Sequence, residues 1–118
     1  MQRENIVSLW LGHFTSQSSF SSYIKEVYSD FGNVSSIFME SFHIQFIDNQ
    51  FQETYYTSKV GSKEELLVGL SYDESYIDSI EIVDWSLYNS VIALYNFKYT
   101  GHVKSDGNMQ FIGFYPYQ

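Results

Sequence analysis

Apolar and β-branched residues are concentrated in two long runs of the sequence, NIVSLWLGH at residues 5–13 and NSVIALYNFKY at residues 89–99. The first run is nearly continuous, which predicts a strand near the centre of a sheet. The second run predicts another strand. Asp106-Gly107 is a hairpin-turn signal, so we expect residues 108–115 to form the return strand.

A helical pattern follows the first strand. Apolar side chains recur at three- and four-residue steps over residues 16–29, which predicts one apolar helix face. Thr15 or Ser16 is a suitable N-cap for this helix. Gly32 is expected to end it as a left-handed cap.

Shorter sequence patterns predict the remaining helices and strands. A serine-capped helix is predicted at 35–42 and a strand at 51–57, while 43–47 stays open as a short partner strand. Ser62, followed three residues later by Glu65, is a capping box that opens a helix over 63–69. The order of these predicted strands and helices along the chain indicates an α+β fold, with a mostly antiparallel sheet of about four strands packed against helices. No repeat or linker divides the chain, so residues 1–118 are expected to form a single domain.

An unusual acidic run, YDESYIDSIEIVDW, occupies residues 72–85. On a helix over 72–87, its apolar residues would form one stripe and its carboxylates the opposite stripe. Trp85 would then lie among the carboxylates, where something must cover it. The alternative is an extended segment at 80–84, because Ile80, Ile82 and Asp84 alternate.

The residue types needed for catalysis or metal binding are not arranged in recognisable motifs. The carboxylates of the acidic run would share one solvent-exposed face, whereas paired catalytic acids need distinct environments. The three histidines are far apart and lack zinc-ligand spacing. Nucleotide-binding and hydrolase signatures are missing from the sequence. We therefore expect a protein that is not an enzyme and holds no metal or cofactor.

The charge of the chain restricts the class of partner, and the lack of cysteine excludes some kinds of site. The 118 residues include 14 Asp and Glu against 6 Lys and Arg, for a net charge of −8, and no cysteine. This charge disfavours binding to nucleic acid or anionic membranes, and it favours a cationic protein partner. No window approaches the roughly 20 apolar residues of a membrane span. Disulfides and thiolate metal sites are excluded, and we expect a soluble, cytoplasmic protein.

Three segments resemble the immunity protein 22 family: ENIVSLWLG at 4–12, LLVGLSYDESYIDSI at 66–80 and NSVIALYNFKYTG at 89–101. The resemblance extends over residues 4–101. It implies a cytoplasmic immunity protein, or antitoxin, of a bacterial polymorphic toxin system. Such a protein binds and neutralises a cognate toxin, which is often a nuclease encoded just upstream.

The acidic run supplies the candidate surface for this partner. A nuclease must present a basic groove to phosphates, and an acidic inhibitor would be attracted to that groove. We therefore predict that the partner-binding residues are Asp73, Glu74, Asp78, Glu81, Asp84 and Trp85.

Other interpretations stay open. The acids could be an ordinary solvated face, and Trp85 could pack in the core. The chain could instead be a small-molecule-binding or enzymatic domain with a tyrosine-lined pocket. It could also form a homodimer through the apolar strand at 108–115.

Overall fold

A four-stranded antiparallel sheet forms the centre of the protein in the computed structural model, which describes residues 2–45, 47–58, 62–82 and 84–118. The strands and α-helices lie in the chain order β1 (Gln2–Gly12), α1 (Gln17–Ile24), β2 (Val27–Tyr28), β3 (Val34–Ser35), α2 (Ile37–Phe42), β4 (Gln52–Tyr56), α3 (Lys63–Leu67), α4 (Asp73–Tyr76), β5 (Ser90–Phe97) and β6 (Met109–Pro116). Three short 3₁₀ turns join them, at Asn49–Phe51, Ile77–Ser79 and Trp85–Leu87. The predicted α+β class is confirmed. None of the described helices is long and apolar enough to span a membrane.

The strand order is β4-β5-β1-β6, so β1 is central, as its apolar run predicts. The predicted hairpin between the last two strands is wrong, because β1 lies between β5 and β6 and pairs with both. The turn at Asp106-Gly107 does form, but it closes a local bridge between Ser105 and Gln110. The tight turn therefore starts β6 without pairing it to β5.

Both faces of the sheet are covered. One apolar cluster, with Trp10 at its centre, packs under α1 and α2. A second cluster, which includes Leu9, Leu67, Tyr76 and Tyr95, packs under the segment from α3 onwards. Burial on two faces explains why β1 and β5 appear as continuous apolar runs rather than alternating ones.

The first helix is shorter than its periodicity predicts. Ser16 caps α1 by accepting a hydrogen bond from the backbone N–H of Ser19, but the helix ends at Ile24 rather than at residue 29. The following residues pair as β2 and β3. Gly32 has a φ of +82° in the turn of this hairpin and does not cap a helix. Cross-strand pairing therefore replaces the last helical turn.

Both of the other serine caps are confirmed. The Ser36 hydroxyl accepts from the N–H of Met39 at the start of α2, and the Ser62 hydroxyl accepts from Glu65 at the start of α3. The helix α3 ends at Leu67, two residues earlier than predicted. Residues 43–45 and 47 form no strand, while Phe46 lies outside the described residues.

The predicted helix over 72–87 is wrong. Only Asp73–Tyr76 is α-helical, and Ile80 has extended backbone angles (φ −88°, ψ 116°). The alternation at 80–84 explains this result, because Ile80 and Ile82 both pack on the second apolar cluster. On one helix these two residues would point about 200° apart. Val83 lies outside the described residues.

Candidate functional site

The carboxylates of the acidic run lie on short irregular elements rather than on one helix face. Glu74, Glu81 and Asp84 are exposed, and Asp73 is half-buried. Two of the acids form hydrogen bonds with nearby backbone groups. Asp73 accepts from the N–H of Gly69 at 3.0 Å, and Asp84 accepts from the N–H of Ser86 at 3.0 Å. Glu74 and Glu81 are therefore more available to a partner than Asp73.

Asp78 is almost fully exposed, with 96% of its side chain accessible. Its carboxylate lies 3.9 Å from the ammonium of Lys63. Lys63 also donates a hydrogen bond to the carbonyl of Ile77 at 3.4 Å. An ion pair in such an exposed position contributes little to stability. Asp78 can therefore exchange Lys63 for a cation on another protein at little cost.

Trp85 joins the acidic run to the core. It is half-buried, and it packs against the second apolar cluster. Trp85 also lines a groove of about 580 Å³ whose other lining residues are Ser62, Lys63, Glu64, Ile80, Glu81 and Ile82. We call this the acidic groove. Trp85 thus has both of the predicted environments, with one part in core packing and another part facing the surface.

The chemistry of the acidic groove suits a protein side chain that is partly apolar and positively charged. Ile80, Ile82 and Trp85 provide the apolar wall, and Glu64 and Glu81 provide the carboxylates. Long basic side chains bury their aliphatic stems on such walls and keep the charged group at the rim. Trp faces also attract cations directly.

A family model described as Immunity protein 22 matches residues 7–118. The chain belongs to this family. The match confirms the resemblance noted over residues 4–101 and continues through β6 to the last residue. No curated protein and no solved structure matches the chain.

A group of tyrosines lies beneath the acidic run of this immunity protein. The hydroxyl of Tyr76 lies 2.7 Å from that of Tyr95, which donates to the carbonyl of Ser71 at 2.5 Å. Burial raises the pKa of Tyr76 to about 12 and also raises the pKa of Tyr95. Burial and the charge of Glu81 together raise the pKa of Tyr115. These phenols stay neutral and support the segment above them.

A second cavity, of about 440 Å³, opens between residues 43–51 and the end of β5. Its lining is mixed, with apolar groups such as Ile44, Leu94 and Phe97 beside polar groups such as Gln2 and Asn96. Among the tyrosines described, Tyr95 is the one that lines it. Of the eleven tyrosines, five contact one another on the other side of the sheet: Tyr72, Tyr76, Tyr95, Tyr115 and Tyr117. Within the described part of the chain, no three His, Asp or Glu residues are placed to hold a metal ion.

One surface feature has no counterpart in the sequence-based predictions. The hairpin of β2 and β3 presents Val27, Tyr28 and Phe31 to solvent, and Phe31 is 92% exposed. The signal was present, because Ser-Asp-Phe-Gly-Asn at 29–33 is rich in turn-forming residues between apolar neighbours. The helical periodicity of the preceding residues masked that signal.

Proposed function

We propose that this immunity protein binds a cognate bacterial toxin domain in the cytoplasm and neutralises it, using the acidic groove as its contact surface. The observation that supports this proposal most directly is the position of Trp85. Its indole lines a groove between Glu64 and Glu81, with the exposed Asp78 on the same segment. An aromatic anchor within an acidic surface is an arrangement that supplies both affinity and attraction at a protein interface.

The charge of the chain supports a basic protein as the partner. Residues 64–97 contain seven carboxylates and no Lys or Arg, in a chain whose net charge is −8. A surface of this kind accelerates association with a basic protein and repels nucleic acid. A nuclease toxin fits, because its substrate groove must itself be basic. Inhibition then follows from occlusion of that groove.

The experiment uses the C-terminal domain of the protein encoded immediately upstream as the toxin. We expect co-expression of the immunity protein to restore growth, and the two proteins to elute as one complex from gel filtration. If the upstream gene is metabolic, or if the two proteins neither rescue growth nor associate, the proposed function is refuted.

A matched pair of charge reversals tests the surface. Glu81→Lys changes a residue of the acidic groove, whereas Glu4→Lys makes the same charge change at an exposed position of β1. We expect Glu81→Lys to slow association by about tenfold at low salt, and Glu4→Lys to have little effect. Equal rates for both variants would show that the acidic groove is not the contact surface, even if the toxin is bound.

Self-association through residues 108–115 is a second proposal, because β6 lies at an edge of the sheet. A register shift at Leu9/Trp10 gives this edge a bulge, a feature that discourages edge pairing. Sedimentation over a range of concentrations distinguishes a dimer from a monomer. A monomer at all concentrations would eliminate this proposal.

A further inference from the structure

The hairpin of β2 and β3, which we call the projecting hairpin (residues 27–35), presents an unusual apolar surface. Val27 is 62% exposed, Tyr28 is 69% exposed and Phe31 is 92% exposed. Residues 27–33 are all exposed, and only Val34 and Ser35 are half-buried. These three residues lie within five positions of the sequence, and such a local excess of exposed apolar side chains indicates an interaction site.

Both faces of β2 in the projecting hairpin lie in solvent. Val27 and Tyr28 are adjacent on this strand, so their side chains point to opposite faces, and each is largely exposed. The rest of the protein covers only β3, and that strand only in part. An isolated two-stranded hairpin is marginally stable in water, which means that local bonds must hold this one.

Local hydrogen bonds hold the tip of the hairpin. The Ser29 hydroxyl accepts from the backbone N–H of Phe31 at 3.3 Å and from that of Asn33 at 3.1 Å. The N–H of Gly32 donates to the carbonyl of Ser29 at 3.0 Å, and Gly32 takes the positive φ that the turn requires. Phe31 is thus displayed on an ordered turn, which reduces the entropy cost of using it as an anchor.

The charge around the tip indicates the kind of partner. Asp30 directly precedes Phe31 and is exposed, whereas the nearest cation in the sequence, Lys25, lies outside the hairpin at the end of α1. A second copy of this chain, with a net charge of −8, would bring like charges together, and an anionic membrane would do the same. A basic protein with an apolar pocket has the complementary charge.

We infer that the projecting hairpin is a second contact surface for the toxin, with Phe31 inserted into an apolar pocket that has a cationic rim. This inference rests on the proposed function, since it concerns the same partner. The acidic groove and the hairpin act differently: the carboxylates accelerate association, and Phe31 slows dissociation.

The test measures binding of the full-length chain to the toxin domain by surface plasmon resonance. Phe31→Ala is expected to raise Kd by about 30-fold, mainly through faster dissociation and with unchanged salt dependence. Phe51→Ala is the matched control, because Phe51 is also an exposed phenylalanine but lies in the 3₁₀ turn Asn49–Phe51, outside both proposed contact surfaces. Ser29→Ala keeps Phe31 but removes the side-chain acceptor in the turn, and it should weaken binding by a few-fold.

Each outcome decides the inference. A loss of affinity in Phe31→Ala with Phe51→Ala unchanged supports the inference. It is overturned if Phe31→Ala binds as tightly as the wild type, or if both Phe variants lose affinity equally. A wild-type dimer that Phe31→Ala disrupts, with toxin affinity unchanged, assigns the hairpin to a second copy and also overturns it. A wild type that does not bind the toxin removes the proposed function itself, and the inference with it.

Discussion

The hydroxyl oxygens of Tyr76 and Tyr95 lie 2.7 Å apart and connect α4 to the central strand β5. Both hydroxyls also donate to the carbonyl of Ser71, Tyr95 at 2.5 Å and Tyr76 at 3.3 Å. The side chain of Glu53 in turn accepts from the N–H of Ser71 at 2.8 Å. This network attaches the start of the acidic run to the sheet.

Removal of either hydroxyl should destabilise the protein, but to different degrees. Tyr95→Phe removes both the donor to Ser71 and the acceptor for Tyr76, and we expect it to cost about 1–2 kcal/mol. Tyr76→Phe removes the longer bond to Ser71 and leaves the shorter one from Tyr95 in place, so it should cost less. Urea unfolding monitored by circular dichroism measures both values. Equal costs for the two variants would show that the bond from Tyr95 to Ser71 contributes no more than the longer bond from Tyr76.

Alkaline pH should weaken the fold through the same tyrosines. Burial raises the pKa of Tyr76 from 10.0 to about 12, so the folded state holds the phenol proton more tightly than the unfolded chain does. The stabilising contribution is complete below pH 10 and is lost as the pH rises through about 12. The free energy of unfolding, measured in urea from pH 8 to 12, should fall less steeply in Tyr76→Phe than in the wild type.

The exposed Tyr28 provides the control for this pH series. Tyr28→Phe removes one tyrosine from the chain but should retain the wild-type slope. If the slope changes as much in Tyr28→Phe as in Tyr76→Phe, burial of Tyr76 is not the cause.

Gly12 should tolerate no larger residue. A Cβ at this position would overlap the carbonyl oxygen of Asn108 and the sulfur of Met109, where β6 begins beside β1. We expect Gly12→Ala to lower the free energy of unfolding by about 1–3 kcal/mol, because the backbone of residue 108 must move. Gly107→Ala, with open space around its Cβ and a φ of +90°, should cost about 1 kcal/mol from backbone strain alone. Thermal unfolding of both variants compares the two mechanisms.

Trp85 should affect both stability and binding. Trp85→Ala removes a ring that packs on the second apolar cluster, and we expect a loss of about 2 kcal/mol, below the value for a fully buried Trp. Toxin dissociation should also accelerate if the ring is a contact residue. Trp85→Phe should restore most of the stability. Dissociation rates that equal the wild type in both variants would limit Trp85 to a structural role.

Local chemistry was predictable where side chains act on their own backbone. The caps at Ser16, Ser36 and Ser62 form as their sequence context indicates, because each hydroxyl bonds an N–H three residues later. The central position of β1 was also predictable, since only a strand covered on both faces needs an unbroken apolar run. The family resemblance followed from the same segments.

Periodicity failed where it had to choose between a helix and pairing with a distant segment. Residues 72–87 satisfy a helical pattern, but Ile80 and Ile82 both pack on the core, which only an extended chain allows. The site prediction depended on that helix. The predicted partner-binding residues lie at the surface, and two of them, Glu81 and Trp85, line the acidic groove. They do not share one helix face, because the helix does not form.

The sequence by itself determined the four strands of the central sheet, the serine caps, the excess of carboxylates and the membership of an immunity protein family, because these depend on composition and on neighbours a few residues apart. Tertiary structure alone decided that β1 separates β5 from β6, that Trp85 packs on the core while lining the acidic groove, and that Phe31 projects from a hairpin. Each of these outcomes depends on contacts between residues far apart in the chain. Short-range patterns contain no information about which of the competing long-range contacts buries more apolar surface.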